Sequence, residues 1–400
     1  MKLHRNLVDA VTDGFLQITN DGLYADKVIE RLLKRNKRWG SKDRAFIAET
    51  LYELVRYKRL YMEIAQVSAP LTVVSFRRVF AVWAVLRGIP LPDWYFEETP
   101  ERRIKGRFAE LSQVRKYRES VPDWLDALGV SELGEAVWTR ELHALNQVAP
   151  VALRVNTLKV SREALQEALT GEGYPCSVVE GSPDALVLAS RANVFLSEAY
   201  KQGWFEVQDV SSQQVAPMVE ARAGMKVADC CAGAGGKTLH LAMQMQNKGK
   251  IVAMDIYPQK LQELSRRAKR NGVFNIETRE IDTKYLKRQA GTFDRVLIDA
   301  PCSGLGVLRR NPDAKWKLTE AFLDEVRTTQ QAILRQYSSL TKAGGKLVYA
   351  TCSILPSENQ RQVQAFLESE AGRGFQLVKE QTLWVSEGYD GFYMAQMNKK

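Results

Sequence analysis

The chain has 400 residues, enough for two or three domains, and its content of 45% hydrophobic and 26% charged residues is typical of a globular enzyme, not of a disordered chain. Its longest uninterrupted apolar run, residues 79–86, is much shorter than the roughly twenty residues of a membrane-spanning helix, and no apolar signal segment opens the chain. The net charge is +10, and residues 1–120 carry most of it, with 23 Lys and Arg against 15 Asp and Glu.

A basic N-terminal part on a nearly neutral remainder favours a polyanionic partner, most often nucleic acid. The alternative is an ordinary solvated helix face. Of the five cysteines none forms a CxxC pair, and the chain has three histidines. We therefore expect no metal site and no disulfide framework, but reduced thiols in a cytoplasmic protein without a membrane span.

The N-terminal third is predicted to be helical. Apolar residues recur at helical spacing over residues 20–87, and prolines at 90, 92 and 100 indicate a linker over residues 88–105. Residues 120–215 then read as a small α+β module. Its predicted strands are 152–157, 177–180 and 185–189, with a helix in SREALQEALTGEG.

From residue 226 onward, apolar strand patterns alternate with helical ones. The predicted strands are 226–230, 251–255, 276–282, 293–300 and 346–353, and the clearest helices are 258–271 and 320–340. This alternation predicts a doubly wound parallel sheet, in which ligands lie beyond the carboxyl ends of the strands. Five reactive side chains fall at or near those ends: Asp229, Asp255, Asp282, Asp299 and Cys352.

A glycine-rich loop follows the first of these strands, in DCCAGAGGKT. Gly233, Gly235 and Gly236 permit a tight turn and a close approach to a ligand, but the loop matches neither GxGxxG nor GxxxxGK[ST]. Asp255 ends the next strand, close to the spacing at which a carboxylate binds a ribose hydroxyl. These features favour an adenosine-bearing cofactor, and S-adenosylmethionine fits. The alternative is that they are only turns and helix caps.

Two cysteines are expected to meet beside that loop. LIDAPCSG ends one strand and YATCS ends another, so neighbouring strands would bring Cys302 and Cys352 to the same edge of the sheet. A single free cysteine is usually an inert core residue. Two at strand ends beside Asp299 favour nucleophilic catalysis.

These segments also carry a resemblance to a known family. DCCAGAGGKT, DAPCSGLGVLRRNPDAKW, ATCSILPSEN and DGFYMAQMNKK resemble the RsmB/Sun (Fmu) family of RNA cytosine-5 methyltransferases, and the likeness extends from Ala149 to the C-terminus through LRVNTLK and QDVSSQQVAP. Residues 20–87 resemble that family's NusB-like helical extension. In one departure, Gly233 and Ala234 replace the Ala-Pro pair of the family's CAAPGGKT, which makes the loop less stiff and bears on the affinity for the cofactor.

The resemblance implies an α/β fold in three parts: a helical NusB-like module (1–119), a small α+β RNA-binding-like module (120–215) and a Rossmann-like methyltransferase domain with a mostly parallel sheet (216–400). It implies methyl transfer from S-adenosylmethionine to C5 of a cytosine in RNA, with small-subunit (16S) ribosomal RNA as the expected target and tRNA as the alternative. The oligomeric state stays open.

The resemblance also assigns roles to residues. Cys352 corresponds to the nucleophile that adds to cytosine C6, Cys302 to the residue that releases the adduct, and Asp299 to a group on the cytosine edge. The implied cofactor contacts are Cys231, Ala232, Gly233, Ala234, Gly235, Gly236, Lys237, Asp255, Asp282 and Asp299. Arg309, Arg310, Lys315 and Lys317 are expected phosphate contacts, with a solvated loop as the alternative.

Two other functions compete with this one. A DNA cytosine methyltransferase would use the PC cysteine as its nucleophile, and the TCS motif and the RNA-binding-like module argue against it. A non-catalytic RNA-binding assembly factor would not need Cys302, Cys352, Asp299 and Asp255 together.

Overall fold

The computed structural model describes residues 3–92 and 100–400. These residues form two compact units. The first consists of Met1–Gln147 together with Leu308–Thr319, and the second of Val148–Val307 together with Glu320–Lys400. The chain therefore leaves the second unit after Val307 and returns to it at Glu320.

The first unit is helical, as its sequence pattern predicts. Thr72 caps one helix by accepting a hydrogen bond from the Ser75 N–H, and the apolar run 79–86 forms the buried end of that helix. In the described part of the chain, no helix combines the length and the hydropathy that crossing a bilayer requires. The helices of this unit are Arg5–Thr19, Ala25–Arg35, Ser41–Arg56, Lys58–Ala65, Val73–Leu86, Glu101–Leu111, Arg115–Arg118, Asp123–Leu133 and Glu135–Leu145.

Two features of this unit differ from the prediction. The predicted linker over residues 88–105 is wrong at its end, because a helix begins at Glu101 behind Pro100, a residue suited to helix starts as well as to linkers. Residues 93–99 of that linker lie outside the described residues. The helix Arg5–Thr19 precedes the predicted helical region. The helices within residues 123–145 lie in this compact unit, and the expected start of the small module at residue 120 stays a prediction.

The second unit contains a four-stranded antiparallel sheet with the order β2-β3-β1-β4. Its strands are β1 (Ala152–Val155), β2 (Cys176–Val179), β3 (Ser182–Leu188) and β4 (Phe205–Val207). The predicted helix lies between β1 and β2 as Arg162–Gly171, capped by Ser161, and buries Leu165 and Leu169 in the core of this module. β4 was not predicted, since three residues are too few to show a period.

A seven-stranded sheet forms the rest of the second unit, with the order β10-β11-β9-β8-β5-β6-β7. The strands are β5 (Lys226–Asp229), β6 (Lys250–Asp255), β7 (Ile276–Glu280), β8 (Phe293–Asp299), β9 (Thr341–Thr351), β10 (Phe375–Leu383) and β11 (Phe392–Lys399). β5 through β9 pair in parallel, while β10 and β11 add two antiparallel strands that we did not predict. The α/β fold with a mostly parallel sheet is confirmed.

Helices cover both faces of this sheet, and each face has its own buried apolar core. The helix Pro258–Asn271 starts on a proline and ends at Gly272, whose φ of 70° suits the left-handed position that closes a helix. The remaining helices of the unit are Glu198–Lys201, Val210–Gln213, Val215–Val219, Gly236–Gln244, Thr283–Arg288, Glu320–Ser338 and Gln360–Glu368.

Candidate active site

The order of strands reverses at β5, which has β6 on one side and β8 on the other. At such a point the loops that follow neighbouring strands diverge and leave a crevice beyond their carboxyl ends. The glycine-rich loop follows β5, and the PCS motif follows β8. The fold therefore brings the predicted site segments to one edge of the sheet.

The glycine-rich loop needs glycine at Gly235. Its φ is 87°, and a Cβ atom at this position would lie 2.5 Å from Cγ of Leu264. Any side chain would clash with the helix that covers the loop, so the close packing of loop and helix depends on this residue.

Asp255 holds the same loop from the end of β6. One carboxylate oxygen accepts the Gly233 N–H at 2.8 Å and the other accepts the Tyr257 N–H at 2.9 Å. Each oxygen keeps a further acceptor site, so the side chain can also bind a ligand hydroxyl. Asp282 is exposed and caps the helix Thr283–Arg288 by accepting the Lys284 and Tyr285 N–H groups. Its expected role near an adenine stays a prediction.

Two arginines hold carbonyl groups of the loop from outside. Arg267 donates to the Ala234 carbonyl at 2.7 Å, and Arg154 donates to the Gly236 carbonyl at 2.5 Å. Arg267 is also paired with Glu206 at 2.8 Å, and Glu206 lies on β4 of the four-stranded sheet. The small module thus supports the loop of the large sheet, an arrangement that sequence analysis did not anticipate.

Asp229 ends β5 beneath this loop and is fully buried. One of its oxygens accepts the Thr238 hydroxyl at 2.7 Å, and the other has no hydrogen-bond partner among the described residues. Burial raises the pKa of Asp229 to about 7. A buried carboxyl oxygen of this kind can accept a hydrogen bond from a ligand amine or hydroxyl.

Lys237, at the end of the loop, forms an ion pair with Asp299 at the end of β8. The Lys237 Nζ lies 2.6 Å from Oδ2 of Asp299. Burial acts to lower the pKa of Lys237, but the Asp299 carboxylate outweighs burial and the pKa is raised. The pair therefore joins the glycine-rich loop to the end of β8.

The two predicted cysteines meet, as the strand order requires. β8 and β9 are parallel neighbours, and Sγ of Cys302 lies 3.3 Å from Sγ of Cys352. Both side chains are half-buried. The hydrogen bond with Cys352 and then burial raise the pKa of Cys302 well above that of a free thiol. The Cys352 sulfur in turn helps to raise the pKa of Lys237, which places it in the same electrostatic cluster.

The expected phosphate contacts after the PCS motif lie outside the compact unit that contains the two thiols. All four residues belong to the first compact unit, within Leu308–Thr319. Lys315 is 3% exposed and donates to the Glu119 carbonyl and to Asn146, and burial lowers its pKa well below the usual value. Arg309 is also buried. For these two residues the phosphate prediction is wrong, because their side chains do not reach solvent.

Lys317 and Arg310 are half-buried. Lys317 forms an ion pair with Asp313 at 2.7 Å, and its Nζ lies 3.6 Å from the centre of the Tyr24 ring. Their contact with phosphate stays a prediction. Spacing along the chain could not reveal that this segment packs within a helical unit.

Comparisons with known proteins support the family resemblance that the sequence motifs carry. Residues 216–398 match the family model of the 16S rRNA methyltransferase RsmB/F, and residues 121–195 match that of the RsmF/B-like ferredoxin-like domain. A ribosomal RNA small subunit methyltransferase B of Escherichia coli is 30% identical over 100% of both chains. The chain belongs to this family.

Other RsmB/F relatives match over less of their length. The probable ribosomal RNA small subunit methyltransferase B of Synechocystis is 36% identical over 62% of this chain, and the match spans 56% of that relative. Among solved structures, PH0851 superposes over 100% of both chains with a TM-score of 0.83 at 23% identity. NSun6 from Pyrococcus horikoshii, solved with SFG, covers 71% of this chain and 99% of its own with a TM-score of 0.65 at 21% identity. At these identities the structural likeness shows the fold alone.

Proposed function

We propose that this chain transfers the methyl group of S-adenosylmethionine to C5 of a cytosine in small-subunit (16S) ribosomal RNA, in the cytoplasm. One observation carries the proposal: two thiols 3.3 Å apart lie at the ends of neighbouring strands, in one electrostatic cluster with the Lys237–Asp299 pair. Membership of the RsmB/F family and the five free cysteines, suited to a reducing compartment, support it.

The loop after β5 fits the proposed cofactor. Asp255 offers acceptor sites for ribose hydroxyls, and the unpartnered buried oxygen of Asp229 suits an amine or hydroxyl donor. The turn at Gly235 keeps the backbone of the loop close to the covering helix. S-adenosylmethionine supplies a methyl group made electrophilic by its sulfonium.

Different residues then act on the base in successive steps. Cytosine C5 is a poor nucleophile until the Cys352 sulfur bonds to C6 and shifts the electrons of the C5–C6 double bond towards C5. Lys237 and Asp299 would stabilise the redistributed charge at the base edge near N3. After methylation the C5 proton passes to a base, and the C5–H electron pair re-forms the C5–C6 double bond. The bond from Cys352 to C6 then breaks with its electrons on the Cys352 sulfur, and Cys302 is assigned to this release. The base must leave its stack to reach the crevice.

Substitution of the two thiols separates this mechanism from that of a DNA-type enzyme. With in vitro transcribed 16S rRNA and S-adenosylmethionine, Cys352→Ala should give neither methylation nor a covalent complex. Cys302→Ala should accumulate a denaturation-resistant protein–RNA adduct, because blocking the release step retains its covalent precursor. A denaturing gel measures the adduct.

Cys176→Ala is the matched control, since it removes another free thiol, on β2, and should behave as the wild type. An adduct with Cys352→Ala and none with Cys302→Ala would overturn the nucleophile assignment. Bisulfite sequencing of total RNA from a deletion strain would identify the target, and loss of methylation in tRNA alone would contradict the ribosomal substrate.

A further inference from the structure

A buried carboxyl group connects the segments that follow the two cysteines. Glu358 is fully buried. Its Oε1 accepts the Ser303 N–H at 2.7 Å, and its Oε2 accepts the Ser303 hydroxyl at 2.5 Å and the Ser353 hydroxyl. Ser303 directly follows Cys302, and Ser353 directly follows Cys352. One side chain therefore holds the residue after each thiol.

The backbone around Glu358 is itself fixed to β9. Glu358 ends a single 3-10 turn, Pro356–Glu358, and its carbonyl accepts the Tyr349 hydroxyl at 2.8 Å. The next residue, Asn359, donates to the Ser353 carbonyl at 2.9 Å. The carboxyl group is thus anchored on the side of Cys352 and reaches across to the segment that carries Cys302.

A buried carboxyl group destabilises the folded state unless its acceptor sites receive hydrogen bonds. The carboxyl group of Glu358 therefore depends on its present donors. Two of its oxygen contacts come from hydroxyls and one from a backbone N–H, and Gln330 adds a weaker contact at 3.4 Å while donating to the Pro301 carbonyl at 2.9 Å. Apart from Gln330, the donors belong to the PCS and TCS segments. An apolar side chain would fill the same space without setting the distance between them.

We propose that Glu358 is a positioning residue, which holds Cys302 and Cys352 at the separation that two thiols acting on one base require. The catalytic consequence of this inference rests on the proposed function. The part that concerns the position of the thiols rests on the geometry alone. A displacement of about 1 Å at reacting atoms can reduce a rate by about a hundredfold. Loss of the link should therefore act on kcat and leave ligand binding unchanged.

The first measurement is independent of activity. Diamide, an azo oxidant, takes one hydrogen from each of two neighbouring thiols and joins the sulfurs, and mass spectrometry follows the Cys302–Cys352 disulfide with time. We expect Glu358→Ala to slow this reaction about tenfold or more, because the thiols no longer stay 3.3 Å apart. Glu358→Gln should retain most of the rate, since its amide can accept from the Ser303 N–H and donate to both serine hydroxyls.

The second measurement is methylation of 16S rRNA. Glu358→Ala should lower kcat about a hundredfold, with KM for RNA and the calorimetric affinity for S-adenosylmethionine within about twofold of the wild type. Gln396→Leu is the matched control: it removes another fully buried, hydrogen-bonded side chain from β11 and should lower the thermal midpoint without changing the disulfide rate or kcat.

The outcomes are separable. A wild type that does not methylate RNA, with a disulfide rate that still depends on Glu358, would contradict the proposed function and leave the positioning role standing. An unchanged disulfide rate in Glu358→Ala overturns the inference whatever happens to kcat. Should that variant fail to fold, the double variant Ser303→Ala/Ser353→Ala decides in its place, because it removes the hydroxyl contacts and keeps the carboxyl group.

Discussion

Single residues at this site make contacts that hold the fold and are also proposed to bind a ligand. Asp255 shows this most clearly, because its two oxygens already hold the N–H groups of Gly233 and Tyr257. A ribose hydroxyl would use the remaining acceptor sites of the same carboxylate. Asp282 presents the opposite case, since capping the helix that follows it explains its position without any ligand.

These two aspartates can be compared in one experiment. Asp255→Ala should weaken binding of S-adenosylmethionine by about 1.5–3 kcal/mol, the range for a hydrogen bond to a charged group. Asp282→Ser keeps a side chain that caps the helix but removes the carboxylate, so it should weaken binding only if Asp282 contacts the adenine. Isothermal titration calorimetry measures both, and unchanged affinity in Asp255→Ala would remove the ribose assignment.

At the scale of an element, the glycine-rich loop is held by its surroundings. The family's usual Ala-Pro pair is Gly233 and Ala234 here, which leaves the backbone less restricted. The carbonyls of Ala234 and Gly236 are instead held by Arg267 and Arg154. Side chains from a neighbouring helix and from β1 therefore provide rigidity that the loop's own sequence lacks.

Arg267→Ala should weaken binding of S-adenosylmethionine by about 1–3 kcal/mol, because the loop loses a charged hydrogen-bond donor. Arg266→Ala is the matched control: it lies next along the same helix, its side chain is 75% exposed, and it contacts Glu263 rather than the loop. An equal loss of affinity in Arg266→Ala would contradict this account of the loop.

At the scale of the whole molecule, the basic excess and the inserted segment belong to the same helical unit. Within that unit Trp316 donates to the Val55 carbonyl at 2.7 Å, and an Asp313 oxygen accepts the Ala25 N–H at 3.1 Å. Deleting residues 1–120 would remove these partners as well as the basic charge. Truncation is therefore a poor test of RNA binding, and substitutions on the exposed surface are a better one.

The basic cluster Lys34, Arg35, Lys37 and Arg38 is exposed on this unit. If it binds phosphates, replacing all four residues by alanine should weaken RNA binding and reduce the slope of log K against log salt by about 0.7–0.9 for each phosphate that is no longer neutralised. A filter-binding titration over salt concentration measures the slope. The control replaces four exposed basic residues of the second unit, Arg191, Lys248, Lys287 and Arg373. Equal slopes in the two variants would identify the cluster as an ordinary solvated surface.

The sequence alone predicted the features that depend on local pattern. Alternating apolar runs and helical periods predict the parallel strands, and a parallel sheet brings strand ends together, so Asp255, Asp299, Cys302 and Cys352 could be assigned to one edge. The helix Pro258–Asn271 was predicted to the residue, because a proline and a glycine mark its ends. These sequence signals lie within a few residues of the strands and helix ends that they predict.

Only the tertiary structure decided the features that depend on distant partners. The charge of Lys315 suggested a phosphate contact, but Glu119 and Asn146, far away in the chain, bury it. Glu358 lies in the segment ATCSILPSEN, yet nothing local shows that it joins Ser303 to Ser353. A side chain's type limits which contacts it can make, whereas long-range packing determines which of them it does make, and in this protein that packing sets the separation of the two thiols.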